Sequence, residues 1–136
     1  MSIQIGDKIP ASTLNILKDG VQAVNTDEVF KGRKVVLFSV PGAFTPTCSA
    51  KHLPGYVEKL GEFKARGIDV ACMAVNDAFV MSAWGKQQNV PEELHMLADG
   101  NGAFADAMGL KFDASAFGMG NRAKRFALYA EDGVVK

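Results

Sequence analysis

Long apolar runs alternate with amphipathic stretches along this chain. The run KVVLFSV at residues 34–40 is almost wholly apolar, as in a strand covered on both faces of a mainly parallel sheet. IDVACMAVN is a second apolar strand and LHMLAD is a third. Between these runs apolar residues recur every three or four positions, which predicts helices from residue 47 onward and over DAFVMSAWGKQQN. Strands that alternate with helices predict an α/β fold.

Several residues mark where the predicted helices begin, break and end. The first helix is expected to be interrupted at Pro54 and Gly55 and to end at Gly67. Asp77 is expected to cap the second helix, and a short helix is predicted after the third strand. The segment TDEVF predicts one further helical turn, capped by Thr26.

Two Asp-Gly pairs predict β-hairpins, at Asp19-Gly20 near the amino terminus and at Asp132-Gly133 near the other end. The second hairpin places at least one antiparallel strand in the sheet, so we expect a central mixed sheet flanked by helices. Residues 1–136 are expected to form a single domain. The last strand has no following element to cover it, so we expect a natural C-terminal segment beyond residue 136.

Charge and hydropathy narrow the functional classes. Fifteen basic and fifteen acidic residues cancel, with no long run of either sign, which argues against nucleic-acid and membrane-surface binding. The partner is therefore expected to be a small molecule or another protein. No segment approaches the run of about 18 consecutive apolar residues that a membrane-spanning helix needs. The start MSIQIGDKIP does not resemble a signal peptide, and we expect a cytoplasmic protein.

The chain has two cysteines and two histidines, and their spacing is unlike a metal site. Cys48 and Cys72 are not part of a CxxC pair, and His52 and His95 lie far apart. This pattern predicts neither a zinc site nor a disulfide framework, and no cofactor is expected. A reactive thiol is compatible with it.

Cys48 lies in the stretch PGAFTPTCS, which predicts a helix start. Thr45 is the expected N-cap, Pro46 the first helical residue and Cys48 the third. Free backbone N–H groups and the helix dipole favour an anion there, but the dipole contributes only about 0.3–1 kcal/mol, or at most about 2 kcal/mol when partly buried, which lowers a thiol pKa by about one unit. A thiol whose unperturbed pKa is about 8.5 therefore also needs a nearby cation to ionise fully at neutral pH.

Four arginines are candidates for that cation. Arg33 and Arg66 precede parallel strands, so they lie at the edge of the sheet opposite Cys48. Arg122 and Arg125 are expected to open an antiparallel strand, which begins on the same side as Cys48. This topology leaves both as candidates.

PGAFTPTCS resembles the peroxiredoxin active-site motif P-x-x-x-[TS]-x-x-C, in the form typical of the type II, or atypical two-cysteine, subfamily. The resemblance covers most of the chain and continues through HLPGY, VNDAFVMSAWGK, DGNGAF and GNRAKRFALYAEDGVVK. It implies a thioredoxin-like fold and a thiol-dependent peroxidase that reduces hydrogen peroxide and organic hydroperoxides.

By the same resemblance, four residues would form the catalytic site. Cys48 would be the peroxidatic nucleophile that becomes a sulfenic acid, and Thr45 would bond the thiolate and the peroxide. Pro41 would keep water from the sulfur, and Arg125 would be the guanidinium donor. A thiol reductant, either glutathione with glutaredoxin or thioredoxin, would regenerate Cys48.

Other residues have a structural and a functional interpretation. We expect Cys72 to be a buried structural cysteine, with a resolving role as the alternative. His52 is expected to pack over the helix rather than tune the thiolate, and His95 to be structural.

Aromatic residues also bear on assembly. Phe44, Phe79, Trp84 and Phe117 are not all expected in the core. The resemblance implies a homodimer packed through the active-site loops, where Phe44 and Phe117 lie.

Two further functional classes remain open at this point. The protein could be a peroxide sensor or relay that passes its oxidation to a partner protein. It could also be a thioredoxin-like binding module in which Cys48 is inert. A cysteine hydrolase is disfavoured, because such an enzyme needs a catalytic histidine on a different element from its cysteine, together with a group that orients that histidine.

Overall fold

The computed structural model describes residues 2–46 and 53–136. Within these residues the elements follow in the order β1 (Thr13–Leu17), β2 (Val21–Asn25), α1 (Thr26–Phe30), β3 (Lys34–Ser39), α2 (Leu53–Ala65), β4 (Ile68–Ala74), α3 (Ala78–Gln87), β5 (Leu94–Ala98), α4 (Ala103–Ala107), β6 (Lys111–Asp113), a 3-10 helical turn (Ser115–Phe117), β7 (Asn121–Ala123), β8 (Phe126–Glu131) and β9 (Val134–Val135). Strands and helices alternate through the middle of the chain, as the hydrophobic pattern predicts.

Seven strands form one mixed sheet in the order β2-β1-β5-β4-β3-β8-β9. The three apolar runs form β3, β4 and β5, which are parallel to one another. β8 runs antiparallel to β3, with Ser39 opposite Phe126. β6 and β7 form a separate two-stranded sheet that the hydrophobic pattern did not predict. Each has only three residues, too few for a period to be visible.

Both faces of the large sheet are packed. On one face Phe38 and Cys72 lie beneath α2 and α3, where Trp84 is fully buried. On the other face Leu37 and Met73 pack against residues of α1 and α4. Alternate side chains of β3 and β4 therefore enter different cores, which explains why these strands are apolar throughout.

Both predicted hairpins are present. Asp19 and Gly20 have φ of 54° and 96°, and Asp132 and Gly133 have φ of 49° and 78°. The Asp132-Gly133 turn joins its strands with two residues, and Asp-Gly suits such a turn because it tolerates positive φ at both positions. The loop at Asp19-Gly20 has three residues, 18–20, between the paired ends of β1 and β2.

The capping predictions have mixed outcomes. Asp77 caps α3 as predicted, because its side chain accepts the Val80 N–H at 2.8 Å. The prediction for Thr26 is wrong, since Asn25 occupies the N-cap position. The buried Thr26 hydroxyl instead donates to the Pro10 carbonyl at 3.0 Å and accepts the Ser12 N–H at 3.1 Å. It thereby ties the amino-terminal segment to α1.

The sequence predicts a break in the first helix at Pro54 and Gly55, but both residues are helical in α2. Within the described residues the helix spans Leu53–Ala65 and so includes both. The ring of proline fixes φ close to the helical value, so Pro54 is compatible with helical backbone at its own position. Gly67 ends α2 as predicted, with φ of 72° and its N–H donating to the Lys64 carbonyl at 3.0 Å.

Across residues 2–46 and 53–136, none of the helices combines the length and the apolar character needed to cross a membrane.

Asp99 follows β5 and is 2% exposed. Its two carboxylate oxygens accept the N–H groups of Phe104 at 3.1 Å and of Ala105 at 2.8 Å. The side chain therefore supplies partners to two amides at the start of α4, a helix of only five residues.

We expect Asp99→Ala to lower the free energy of unfolding by about 1–3 kcal/mol, because it leaves two buried N–H groups without their acceptor. Urea unfolding followed by circular dichroism would measure the change. Asp106→Ala, at an exposed carboxylate of the same helix, is the matched control and should change stability by less than about 0.5 kcal/mol. Equal unfolding midpoints for the two variants would contradict the structural role of Asp99.

Candidate active site

The loops that carry the candidate site follow the carboxyl ends of the parallel strands. The segment 41–46 follows β3, residues 75–77 follow β4, and residues 99–102 follow β5. The carboxyl ends of parallel strands meet at one edge of a sheet, which is where α/β proteins place their sites. Since Ser39 pairs with Phe126, β8 begins at this same edge.

The segment 41–46 forms a tight turn around Gly42. The Thr45 hydroxyl donates to the Gly42 carbonyl at 2.7 Å, and the Thr45 N–H reaches the same oxygen at 3.4 Å. Phe44, at the top of the turn, has φ of 65° and is half exposed. Pro41 is partly buried, and the backbone is already helical at Pro46. The turn thus directs the chain from β3 into a helix start.

Cys48 and His52 lie outside the described residues. The predicted bond between the Thr45 oxygen and the Cys48 N–H therefore stays a prediction, as do the roles of both side chains. A hydroxyl has one proton to donate and two lone pairs to accept with. The proton of Thr45 is used at Gly42, so its oxygen can still accept a hydrogen bond.

Three of the four arginines lie at the edges of the large sheet that the topology predicts. Arg33 and Arg66 precede β3 and β4 at the opposite edge, where Lys34 pairs with Ile68. Arg125 directly precedes β8, so its backbone lies at the edge that carries the 41–46 turn. Its catalytic role stays a prediction.

Arg122 does not open the same strand as Arg125, contrary to expectation, because it lies in β7 of the small sheet. Its Nε donates to the Met119 carbonyl at 2.9 Å, and one terminal nitrogen donates to the Val75 carbonyl at 2.9 Å. The guanidinium therefore links the 115–120 loop to the turn that follows β4.

Asn76 contacts the candidate site but was not singled out from the sequence. Its Oδ1 accepts the Ala43 N–H at 3.0 Å, across 33 positions of the chain. No local pattern reveals such a bond. The one available signal is the position of Asn76 two residues after a buried strand, where polar side chains of α/β folds often reach neighbouring loops.

Cys72 is fully buried in β4, as predicted, and lies opposite Phe38. The Tyr56 ring stacks on Phe38 with 3.8 Å between centroids and 3° between planes. Burial raises the pKa of the Tyr56 hydroxyl, and the nearby Cys72 raises it further. Cys72 thus lies in a closely packed environment, which agrees with a structural role.

His95 is the second residue of β5, at the edge opposite the candidate site. Burial lowers its pKa, while Asp69 raises it and Arg33 and Lys64 lower it. Its position separates it from the 41–46 turn, in agreement with a structural role.

Three of the four aromatic residues are exposed and only Trp84 is buried. Phe44, Phe79 and Phe117 are 47%, 62% and 76% exposed. Phe79 lies in the first turn of α3, directly after the β4 turn, and Phe117 precedes the segment that contacts Gly42 through Met119. All three elements adjoin the candidate site.

Comparisons with known proteins agree with this geometry. The sequence signature of the Redoxin family matches residues 4–136. Chloroplastic Peroxiredoxin-2E of Arabidopsis thaliana is 50% identical over 99% of this chain and 60% of its own length. Chloroplastic Peroxiredoxin-2E-2 of Oryza sativa subsp. japonica is 49% identical over 99% of this chain and 63% of its own. The chain thus spans about three-fifths of the length of these two relatives.

A solved peroxiredoxin structure is also similar to this chain. Reduced Prx3 of Vibrio vulnificus in complex with H2O2 superposes with a TM-score of 0.92, at 50% identity, over 98% of this chain and 84% of that one. The predicted thioredoxin-like fold, a mixed sheet flanked by helices, is therefore confirmed. This chain belongs to the Redoxin family, as a type II peroxiredoxin.

The expectation of a cytoplasmic protein is wrong. The two relatives at 50% and 49% identity are chloroplastic proteins. The first residues of a folded domain are shaped by its packing, so they do not reveal its compartment.

Proposed function

We propose that this protein is a thiol-dependent peroxidase that reduces hydrogen peroxide and organic hydroperoxides through Cys48. The observation that carries this proposal is the 41–46 turn, which presents the Thr45 hydroxyl at the edge where Arg125 precedes β8. The complex of the Vibrio vulnificus relative with H2O2 supports the same substrate class.

The reaction is a nucleophilic displacement on oxygen. The Cys48 thiolate attacks one peroxide oxygen, an S–O bond forms and the O–O bond breaks. The departing oxygen takes up a proton and leaves as water or an alcohol, and the cysteine becomes a sulfenic acid. One reductant thiol then condenses with the sulfenic acid and releases water, and a second thiol reduces the resulting disulfide.

The other proposed site residues act on charge and solvation. The Arg125 guanidinium carries a fixed charge and several donors, which suits a thiolate and an oxygen substrate held together. The Thr45 hydroxyl bonds the reacting atoms, and Pro41 shields the sulfur from water. Donors already in place stabilise the negative charge on the departing oxygen without reorganising.

Two thiol reductants are candidates: the glutathione and glutaredoxin system, or thioredoxin. The protein acts as a homodimer that packs through the loops carrying Phe44 and Phe117. The exposure of these rings beside the site supports this contact, since clustered exposed apolar side chains mark interaction surfaces.

A peroxide relay would use the same thiolate but pass its oxidation to a partner protein. The relatives, which carry peroxiredoxin names, do not favour this alternative. Repeated turnover with a small thiol as the sole reductant separates a peroxidase from a relay.

We expect Cys48→Ser to abolish peroxide consumption, because a hydroxyl does not supply the nucleophile. Cys72→Ser should leave the first oxidation step nearly intact, since Cys72 is buried away from solvent. Intact mass after a stoichiometric peroxide pulse, with and without glutathione, would measure both. Equal loss of reactivity in the two variants would overturn the assignment of Cys48.

Substitutions at Thr45 separate its two roles. Thr45→Ser keeps the hydroxyl and should retain most activity. Thr45→Val removes it at nearly constant shape, and the oxidation rate should fall more than about tenfold, which corresponds to about 1.4 kcal/mol of transition-state stabilisation. Stopped-flow oxidation would be measured at a pH where each thiol is fully ionised. A folded valine variant that reacts as fast as the wild type would leave Thr45 with a structural role only.

The dimer contact can be tested by replacing an exposed aromatic ring with a charged side chain. Phe117→Glu should raise the dimer dissociation constant at least about tenfold, because it places a charge inside an apolar contact. Ile5→Glu is the matched control, since Ile5 is 81% exposed but lies at the amino terminus. Sedimentation equilibrium would compare both with the wild type. A wild type that stays monomeric at micromolar concentration would refute the dimer.

A further inference from the structure

The turn that precedes the candidate nucleophile is held by a side chain from another part of the chain. Asn76 is the second residue after β4, and its Oδ1 accepts the Ala43 N–H at 3.0 Å. Ala43 is the residue after Gly42, whose carbonyl accepts the Thr45 hydroxyl at 2.7 Å. The Ala43 N–H bound by Asn76 and the Gly42 carbonyl that accepts the Thr45 hydroxyl therefore belong to the same peptide group.

The backbone around Asn76 is itself fixed from both sides. On one side an Arg122 terminal nitrogen donates to the Val75 carbonyl at 2.9 Å. On the other side the Asp77 carboxylate accepts the Val80 N–H at 2.8 Å and so anchors the turn to α3. A side chain that starts from a fixed backbone can transmit that position to its hydrogen-bond partner.

Close packing also restrains the 41–46 turn. A Cβ added to Gly42 would lie 3.0 Å from Met119 Cε, 3.1 Å from Thr45 Cγ2 and 3.7 Å from an Arg122 terminal nitrogen. The turn is therefore held by the Asn76 amide and packed closely against the Met119 and Arg122 side chains. A shift of its backbone would move the Thr45 oxygen with it.

We propose that Asn76 is a positioning residue for the peroxide reaction, and that Arg122 supports it by holding the Val75 carbonyl. This proposal rests on the proposed peroxidase function. Asn76 acts through the Ala43 amide, which fixes the turn that presents the Thr45 hydroxyl. A displacement of about 1 Å at a reacting group can slow a reaction by about a hundredfold, so a bond of this kind is kinetically important.

The first test compares Asn76→Ala with Asn76→Asp. The alanine variant removes the acceptor of the Ala43 N–H, and the aspartate variant keeps an oxygen in the same place. The rate constant of Cys48 oxidation by hydrogen peroxide is measured by stopped flow across a pH series. Comparing the plateau rates at high pH removes any effect of the added charge on the thiol pKa. Asn101→Ala, at an exposed asparagine on the turn after β5, is the matched control.

We expect the plateau rate of Asn76→Ala to fall by about tenfold to a hundredfold. Asn76→Asp and Asn101→Ala should stay within about threefold of the wild type, a change of less than one decade. Amide exchange of Ala43, followed by NMR, should speed up in Asn76→Ala and not in Asn76→Asp. Urea unfolding shows whether the variants are folded at the assay conditions.

The outcomes separate the two levels of the proposal. A wild type that fails to react with peroxide contradicts the proposed function itself. A reactive wild type whose Asn76→Ala variant has the same plateau rate overturns the positioning role alone. An equal rate loss in the alanine and aspartate variants also overturns it, because the acceptor oxygen would then be irrelevant.

The second test examines the link through Arg122. Arg122→Met keeps an unbranched stem of similar volume near the backbone but removes the donors to the Val75 and Met119 carbonyls. If both residues act through one turn, the double variant with Asn76→Ala should be about as slow as the slower single variant. Rate losses that multiply, as for independent sites, would overturn the support assigned to Arg122.

Discussion

The structure depends on the pairing of β3 with a parallel strand on one side and an antiparallel strand on the other. β4 ends beside Ser39, and β8 begins there, opposite the same residue. This mixed pairing brings the carboxyl ends of two strands and the amino end of a third to one point of the sheet. The 41–46 turn, Asn76 and Arg125 lie at that point because the ladder hydrogen bonds fix the register.

A large part of this arrangement follows from the sequence, because burial on both faces leaves a clear pattern. The three apolar runs became β3, β4 and β5, and the two Asp-Gly pairs became hairpins. The edge that carries Arg125 was predictable from strand direction alone. Failures occurred where a side chain bonds over a long separation. Thr26 caps no helix because Pro10 and Ser12 engage its hydroxyl, and no local pattern encodes that choice.

The candidate site shows the same division. Thr45, Pro46 and the helix start are local features, so their spacing in the sequence could predict them. The bond from Asn76 to Ala43 spans 33 positions, and Arg122 reaches Val75 across 47. These contacts depend on how the turn after β4 and the small β6–β7 sheet meet above the large sheet. Strands of three residues are too short for their sequence pattern to predict how these two elements pack.

A turn at a sheet edge needs such contacts because it leaves the ladder that would satisfy its backbone. Beyond Ser39 the register with β4 and β8 ends, so the Ala43 N–H must find an acceptor outside the sheet. A side-chain amide meets this need and leaves the turn free of a neighbouring strand that would cover it. The Thr45 hydroxyl can then be held in place while the side of the turn that carries Phe44 stays open. This combination suits the proposed peroxide reaction, which requires both fixed donors and access for a small substrate.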